Sequence, residues 1–217
     1  MAEKTFLKDM WDTIRQGDLE RVVALIDADR ERLHMTTVFG TWLHFAASEG
    51  QLEIVKYFIS QGLDVNARSE SDSSGYTPIN AAASKGYVEV VRYLLSCGAI
   101  LDVSRGGQEN PLFRAVLNGH TEVVKLLIDS GIDTKIKYNT KTMRNMDALA
   151  LAYEWGQSEV VKILRPYSLG EPVFWDRKGY CTPVIDDCYI FQGWKDFDLQ
   201  GNRLGIYNSN AKKRVRD

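Results

Sequence analysis

The apolar residues of this chain recur with the spacing of an amphipathic α-helix. In residues 54–59, Ile54, Val55 and Phe58 are spaced so that they fall on one helical face, and residues 123–128 repeat the arrangement. The strict alternation of a half-buried strand does not occur in these segments. The pattern therefore predicts a series of short helices, each with one buried face.

Glycine marks the period at which these helices recur. Five glycines, separated by 33, 36, 33 and 37 residues, each precede an acidic and branched apolar run such as residues 52–55. A further glycine follows several runs, where a left-handed helix cap costs least for a residue without a Cβ. This period predicts a tandem repeat with two short helices in each copy. The five glycines are Gly17, Gly50, Gly86, Gly119 and Gly156.

The segments before these glycines carry a recognisable motif. Residues 41–47 (TWLHFAA), 77–83 (TPINAAA) and 110–115 (NPLFRA) resemble the opening T-P-L-H-x-A of the ankyrin repeat, and residues 62–67 (GLDVNA) resemble its closing turn. Proline is tolerated in the first turn of a helix, and a preceding threonine can cap that turn. The resemblance covers about residues 5–166.

The resemblance implies an all-α repeat solenoid, an ankyrin array of about five helix-turn-helix repeats with hairpin fingers, over residues 1–166. Two fingers, residues 68–76 and 135–146, are longer than is typical. The opening threonine is absent from the fourth and fifth repeats, so we expect these repeats to fray more easily. Other departures are Trp42 and Ala148 in place of the proline, and Asn80, Phe113 and Ala150 in place of the histidine.

The resemblance also implies a protein-protein interaction module that uses the concave ankyrin surface. In this family the finger tips and the exposed side of each first helix line that surface. Aromatic and arginine side chains dominate interface energies, which favours the same positions here. For Tyr138 and Trp155 the alternative is burial beneath the residues that follow the array. The predicted partner-binding residues are Phe39, Glu49, Tyr76, Ser84, Lys85, Arg105, Glu109, Arg114, Leu117, Asn118, Tyr138 and Trp155.

Residues 167–217 do not continue the repeat. Nine aromatic residues lie in this segment, which argues against disorder, and strand-like residues 189–191 and 204–207 flank a turn at residues 200–202. Fifty residues rarely sustain a core of their own. We therefore expect a C-terminal extension with short strands that caps the last repeat. The aromatic residues expected to pack there are Phe174, Trp175, Tyr189, Phe191 and Trp194.

Composition and net charge mainly exclude some classes of function. The formal net charge of -2 gives no bulk attraction to nucleic acid or to a membrane surface. No signal peptide or membrane span is evident, so a cytoplasmic chain, monomeric when free, is expected. Three cysteines without metal-ligand spacing favour free thiols, with a bridge between Cys181 and Cys188 as the alternative.

The sequence favours binding over catalysis, with no cofactor and no metal site. The sharpest hypothesis, resting on family resemblance alone, is an immunity protein that binds and inhibits a bacterial toxin. One alternative is an adaptor or host-directed effector scaffold that recruits a partner without inhibiting it. Another is an enzyme whose site lies in the extension, where Asp186, Asp187, Asp196 and Asp198 could act as acid and base.

Overall fold

Short helices arranged in pairs make up most of the chain. The computed structural model describes residues 2–37, 39–69, 76–139 and 146–167, and beyond them the backbone of five short strands between residues 174 and 206. Within this part of the chain the α-helices are α1 (Ala2–Gln16), α2 (Leu19–Asp27), α3 (Trp42–Ser48), α4 (Leu52–Ser60), α5 (Pro78–Lys85), α6 (Val88–Ser96), α7 (Pro111–Leu117), α8 (Thr121–Asp129), α9 (Ala148–Glu154) and α10 (Ser158–Leu164).

Short strands and 3-10 turns complete the described elements. Two 3-10 helices cover Arg30–His34 and Arg165–Tyr167. The strands are β1 (Thr36–Thr37), β2 (Gly40–Thr41), β3 (Phe174–Trp175), β4 (Cys181–Thr182), β5 (Cys188–Tyr189), β6 (Lys195–Asp198) and β7 (Arg203–Ile206). The antiparallel pair β1–β2, which the sequence patterns did not predict, forms the finger before α3.

The chain divides into two compact units, Met1–Asn118 and Gly119–Asp217. The first unit contains α1 to α7, and the second contains α8 to α10 and the strands that follow. In the first unit α5 packs between α3 and α7. The alanines that precede the repeat glycines are fully buried, among them Ala46, Ala47, Ala82 and Ala83. Their small side chains let neighbouring helices approach closely.

The helix starts show how the chain tolerates departures from the repeat motif. Asn110 caps α7 in place of threonine: its Oδ1 accepts from the backbone N of Leu112 at 2.8 Å. At α9, Asp147 accepts from the backbone N of Ala150 at 2.8 Å. Both repeats that lack the opening threonine therefore keep a side-chain cap, which removes the reason for expecting them to fray.

Trp42 fills space where the motif has proline. Its indole is fully buried and stands edge-on to Phe6, with ring centroids 6.0 Å apart. The indole N–H donates to the carbonyl of Arg32 at 2.8 Å, so the polar atom of this large side chain is satisfied. The substitution therefore ties the start of α3 to α1 and to the first 3-10 helix.

In the second unit α10 packs against α8 and α9. Val124, Leu127 and Val161 are fully buried in this packing, as the helical spacing of these runs predicts. The long finger before α9 is closed at its base by two backbone hydrogen bonds of 2.9 Å between Tyr138 and Met146.

The residues after Tyr167 are described only as backbone strands. β3 pairs with β4, and β6 lies between β5 and β7 in an antiparallel sheet. The sequence patterns pointed to residues of β5 and β7 but not to β6, whose charged residues hide the strand signal. The predicted turn at residues 200–202, the packing of the aromatic side chains and the states of Cys181 and Cys188 lie outside the described residues. Cys97 is a half-buried free thiol.

Candidate partner-binding surface

The first unit presents the exposed sides of α3, α5 and α7 together with the turns before them. We call these residues the first-helix surface. Phe45, Ala81 and Arg114 each lie four residues after a helix cap, so they occupy equivalent places on the three adjacent helices. Ala81 is small and buried, whereas its two neighbours in this row are an aromatic and a cationic side chain. The row therefore has an aromatic side chain at its α3 end and a cationic side chain at its α7 end.

An aromatic cluster of Phe39, Trp11 and Phe45 lies at the α3 side of this surface. The ring of Trp11 is 5.8 Å from Phe39 and 6.0 Å from Phe45, and Arg15 holds its guanidinium 5.9 Å from the Phe45 centroid. Phe39 is 59% exposed, the most accessible phenylalanine among the residues with described side chains. An aromatic ring so exposed beside other aromatic rings is typical of an interaction site.

Tyr76 and Arg114 form the second feature of the surface. The guanidinium of Arg114 lies 5.0 Å from the centroid of the Tyr76 ring, and its Nε donates to the carbonyl of Gln108 at 2.8 Å. The Tyr76 hydroxyl donates to the carbonyl of Asn80 at 3.2 Å. These contacts hold the half-buried arginine in one orientation, because one face of its guanidinium and its Nε are occupied.

The remaining predicted residues of α3, α5 and α7 lie at the ends of these helices. Lys85 is exposed in the last turn of α5, after half-buried Ser84. Leu117 is half-buried, and Asn118 is exposed and donates to the carbonyl of Arg114 at 2.9 Å. Glu49, at the end of α3, lies 3.7 Å from the guanidinium of Arg15.

Glu109 lies inside the unit rather than on its surface. The residue is 8% exposed, and its Oε2 accepts from Arg68 at 2.8 Å and from Arg105 at 3.1 Å. Arg68 also binds Asp102 at 2.8 Å. Hydrogen bonds from Ser104, with that arginine, hold the pKa of Asp102 below its usual value. This charge network joins the connection after α4 to the connection between α6 and α7. Arg105, predicted to contact a partner, already has an acidic partner within it.

His44 has a local structural role at the start of α3. Its Nδ1 accepts from the backbone N of Thr41 at 3.2 Å, and its Nε2–H donates to the carbonyl of Tyr76 at 2.9 Å. Burial lowers the pKa of His44, and this outweighs the backbone hydrogen bonds that favour the charged ring. Asn80 takes the equivalent role in the next repeat, since its Nδ2 donates to the carbonyl of Glu109 at 2.9 Å.

The second unit carries the last two predicted residues. Trp155 is 53% exposed at the end of α9, and Tyr138 is half-buried at the base of the long finger. Trp155 is thus open to solvent in the described part of the chain. The segment proposed to cover it lies mainly outside that part.

Several residues of this surface were missed by sequence reasoning. Trp11, Arg15 and Arg68 each act through a neighbour at least 28 residues away in sequence. One signal was available for Trp11: it stands six residues before Gly17, as His44 stands six before Gly50. The glycine register would have placed it at a first-helix position even though its repeat lacks the opening motif.

The described residues contain neither a cluster of metal-ligating side chains nor a membrane-spanning helix. No group of three or more His, Cys, Asp or Glu side chains within these ranges could hold a metal ion. Within the same ranges, no helix is long and apolar enough to cross a membrane.

Helix pairs that recur at a glycine period and stack through buried alanines define a tandem helical-repeat protein. The family model for ankyrin repeats (three copies) matches residues 10–106 and 100–171, which together are most of the chain. The chain belongs to the ankyrin-repeat family, and the resemblance found in its sequence is confirmed. Membership implies a protein-protein interaction module.

Parts of the chain are similar to proteins of different activities. The E3 ubiquitin-protein ligase XBAT32 of Arabidopsis thaliana is 38% identical over 124 residues, 54% of this chain and 23% of that protein. Protein phosphatase 1 regulatory subunit 27 of Mus musculus is 40% identical over 70 residues, 32% of this chain and 44% of that protein. The 16S rRNA endonuclease CdiA of Enterobacter cloacae is 46% identical over 50 residues, 23% of this chain and 2% of that protein. The chain spans less than half of each relative.

Proposed function

We propose that this chain binds one partner protein through the concave ankyrin surface, including the first-helix surface of the first unit, and that binding inhibits a bacterial toxin. The observation that carries the binding proposal is the exposed aromatic and arginine chemistry of that surface, with Phe39 59% exposed and Arg114 fixed on Tyr76. Such side chains supply most interface energy when a partner desolvates them. Inhibition rests on the family resemblance, and the alternative is an adaptor that recruits the partner without inhibiting it.

The proposal includes Trp155 and Tyr138 of the second unit as contacts. Trp155 is exposed, and a large exposed indole is costly to leave in water unless a partner or another segment covers it. We further propose that residues 167–217 form an extension that caps the last repeat. The free chain is proposed to be a cytoplasmic monomer.

An affinity capture from native lysate tests the binding proposal. The wild-type chain is compared with a Phe39→Ala, Arg114→Ala, Trp155→Ala variant, and retained proteins are identified by mass spectrometry. Arg92→Ala is the matched control, because this arginine is 58% exposed on α6, away from the first helices. Circular dichroism checks that each variant is folded. We expect one protein to be retained by the wild type and the control and lost with the triple variant.

A second measurement separates inhibition from recruitment. The captured protein is purified, and its activity is measured with increasing amounts of the chain. Complete loss of that activity at equimolar chain supports the immunity proposal. Full activity in the saturated complex supports the adaptor instead. Capture of the same protein by wild-type and triple-variant chains would show that the binding surface lies elsewhere.

A second candidate function is favoured by one comparison. CdiA, which is 46% identical to this chain over 50 residues, is a 16S rRNA endonuclease. The ankyrin match ends at residue 171, so most of segment 167–217 lies outside the array. We propose as the alternative that this segment carries a ribonuclease site that uses carboxylates among Asp186, Asp187, Asp196 and Asp198. The ankyrin array would then deliver or restrain the nuclease.

Cleavage of 16S rRNA in purified 30S subunits tests this alternative. We expect a discrete rRNA fragment with the full chain and its loss in an Asp186→Asn, Asp198→Asn variant that still binds the captured protein. Intact rRNA after prolonged incubation with the folded chain would contradict the nuclease alternative and leave the binding proposal unaffected.

A further inference from the structure

The charge on the first-helix surface is unevenly compensated. Arg15 lies 3.8 Å from Asp12 and 3.7 Å from Glu49, and Arg105 is paired with Glu109. Arg114, in contrast, has no acidic side chain within ion-pair distance among the described residues, although its orientation is fixed. Lys85 in the last turn of α5 has none within the same ranges either. The part of the surface formed by α5 and α7 therefore keeps uncompensated positive charge.

The fixed orientation of Arg114 decides which group it can bind. Its Nε is used by the carbonyl of Gln108 and one face of its guanidinium covers the Tyr76 ring. The two Nη nitrogens remain as donors in a planar fork. Carboxylates match this fork, and a guanidinium that is already held in place loses little side-chain entropy on binding.

The two ends of the row lie at a distance that an extended peptide can span. Helices α3 and α7 are separated by α5, and neighbouring helix axes are about 8–10 Å apart. Phe45 and Arg114 are thus separated by roughly 16–20 Å, which equals about five or six residues of extended chain at about 3.3 Å per residue. Ala81, which lies between them, is small and buried, so its side chain does not obstruct the path.

We propose that the first-helix surface binds an extended segment of a partner protein that places an Asp or Glu carboxylate on Arg114 and an apolar side chain on the aromatic cluster. The two side chains are about five or six residues apart along the partner, as the helix spacing requires. Lys85 adds positive potential that attracts the acidic end of the segment. This inference rests on the proposed binding function and names the chemistry of its partner.

Selection of random 12-residue peptides displayed on phage against the immobilised full chain tests the proposal. We expect enriched sequences to combine an acidic residue with an aromatic or large aliphatic residue at the stated spacing. Synthetic copies should bind Arg114→Gln at least about 10-fold more weakly than wild type, because a charge-assisted fork is lost. Arg114→Lys, which keeps the charge but not the fork, should fall between them, and Arg92→Gln should bind as wild type.

The remaining outcomes separate this inference from the proposed function. Enriched peptides that lose affinity on Phe39→Ala but lack acidic residues, or that tolerate Arg114→Gln, would overturn the carboxylate proposal and leave the binding surface in place. Peptides insensitive to every first-helix variant, or no enrichment over the bare support, would also overturn it. The lysate capture then decides by itself whether the surface binds a protein.

Discussion

His44 lies where a charged imidazole is disfavoured. Burial lowers its pKa below the ordinary value of 6.5, and its neutral ring joins Thr41 to the carbonyl of Tyr76. Between the folded and unfolded pKa values the unfolded chain binds more protons than the folded chain. The stabilising effect of neutral His44 is therefore fully present above the unfolded pKa and is lost as the pH falls through the interval below it.

Replacement of His44 by asparagine should reduce this pH dependence. Asn80 shows that an amide can make the equivalent hydrogen bond, so His44→Asn keeps a donor and removes the titrating group. We expect the free energy of unfolding, measured with urea from pH 5 to pH 8, to decrease less in the variant as the pH falls. Equal decreases in the two proteins would show that His44 does not contribute.

At the scale of structural elements, the charge network around Glu109 joins turns that are distant in sequence. Arg68 follows α4, Asp102 follows α6, and Glu109 immediately precedes the cap of α7. A buried carboxylate is costly unless cations and hydrogen-bond donors surround it. The network therefore fixes how successive turns lie beside each other in the first unit.

Removal of Arg68 should destabilise the first unit far more than removal of an exposed ion pair. Arg68→Gln leaves the buried Glu109 carboxylate with Arg105 alone, and we expect a loss of about 2 kcal/mol. Lys56→Gln is the control, since Lys56 and Glu53 are 41% and 67% exposed and the expected loss is below about 0.5 kcal/mol. Urea unfolding measures both, and equal effects would contradict a special role for the network.

The turn between α3 and α4 depends on Gly50. The residue has a φ of +74°, and a Cβ added there would lie 2.6 Å from the Tyr87 ring. Gly62 has a φ of +91° but no atom within 4 Å of such a Cβ. We expect Gly62→Ala to cost about 1 kcal/mol through backbone strain alone, and Gly50→Ala to cost at least about 1 kcal/mol more. Thermal unfolding compares the two variants, and equal losses would show that Tyr87 moves without cost.

At the scale of the whole molecule, the repeat period allowed the helices to be predicted. Helices α4, α6, α8 and α10 each begin two residues after a glycine of the period, because glycine supplies the left-handed turn and the following run is amphipathic. Local patterns could predict this much. Phe39 is exposed and Tyr76 and Arg114 are half-buried, but their contacts could not be derived from spacing.

The parts that escaped prediction depend on contacts between distant residues. Nothing near Glu109 in sequence indicates that Arg68 reaches it from 41 residues away, so a charged residue in a turn was predicted to be exposed. Trp11 likewise joins the surface through Phe39 and Phe45, which belong to the next repeat. Such tertiary contacts override the local preference of a charged or aromatic side chain.

A chain ending at Pro166 tests the proposed extension. Terminal repeats need a covered or polar outer face, so we expect the shortened chain to unfold at a lower temperature than the full chain. Hydrogen exchange should show the greatest loss of amide protection in α9 and α10. Identical unfolding and protection in the two chains would mean that residues 167–217 do not cover the last repeat.

Tyr76 combines internal and external tasks in one side chain and its peptide group. Its carbonyl accepts from His44 and from the backbone N of Ser69, its hydroxyl donates to Asn80, and its ring supports Arg114. Substitutions at Phe39 or Lys85, which are exposed, can therefore change binding specificity with little loss of stability, whereas substitutions at Tyr76 destabilise the fold. In a saturation library scored for folded protein, Tyr76 should tolerate few replacements even when no partner is present. Tyr76 is therefore expected to stay constant while neighbouring exposed positions acquire new binding preferences.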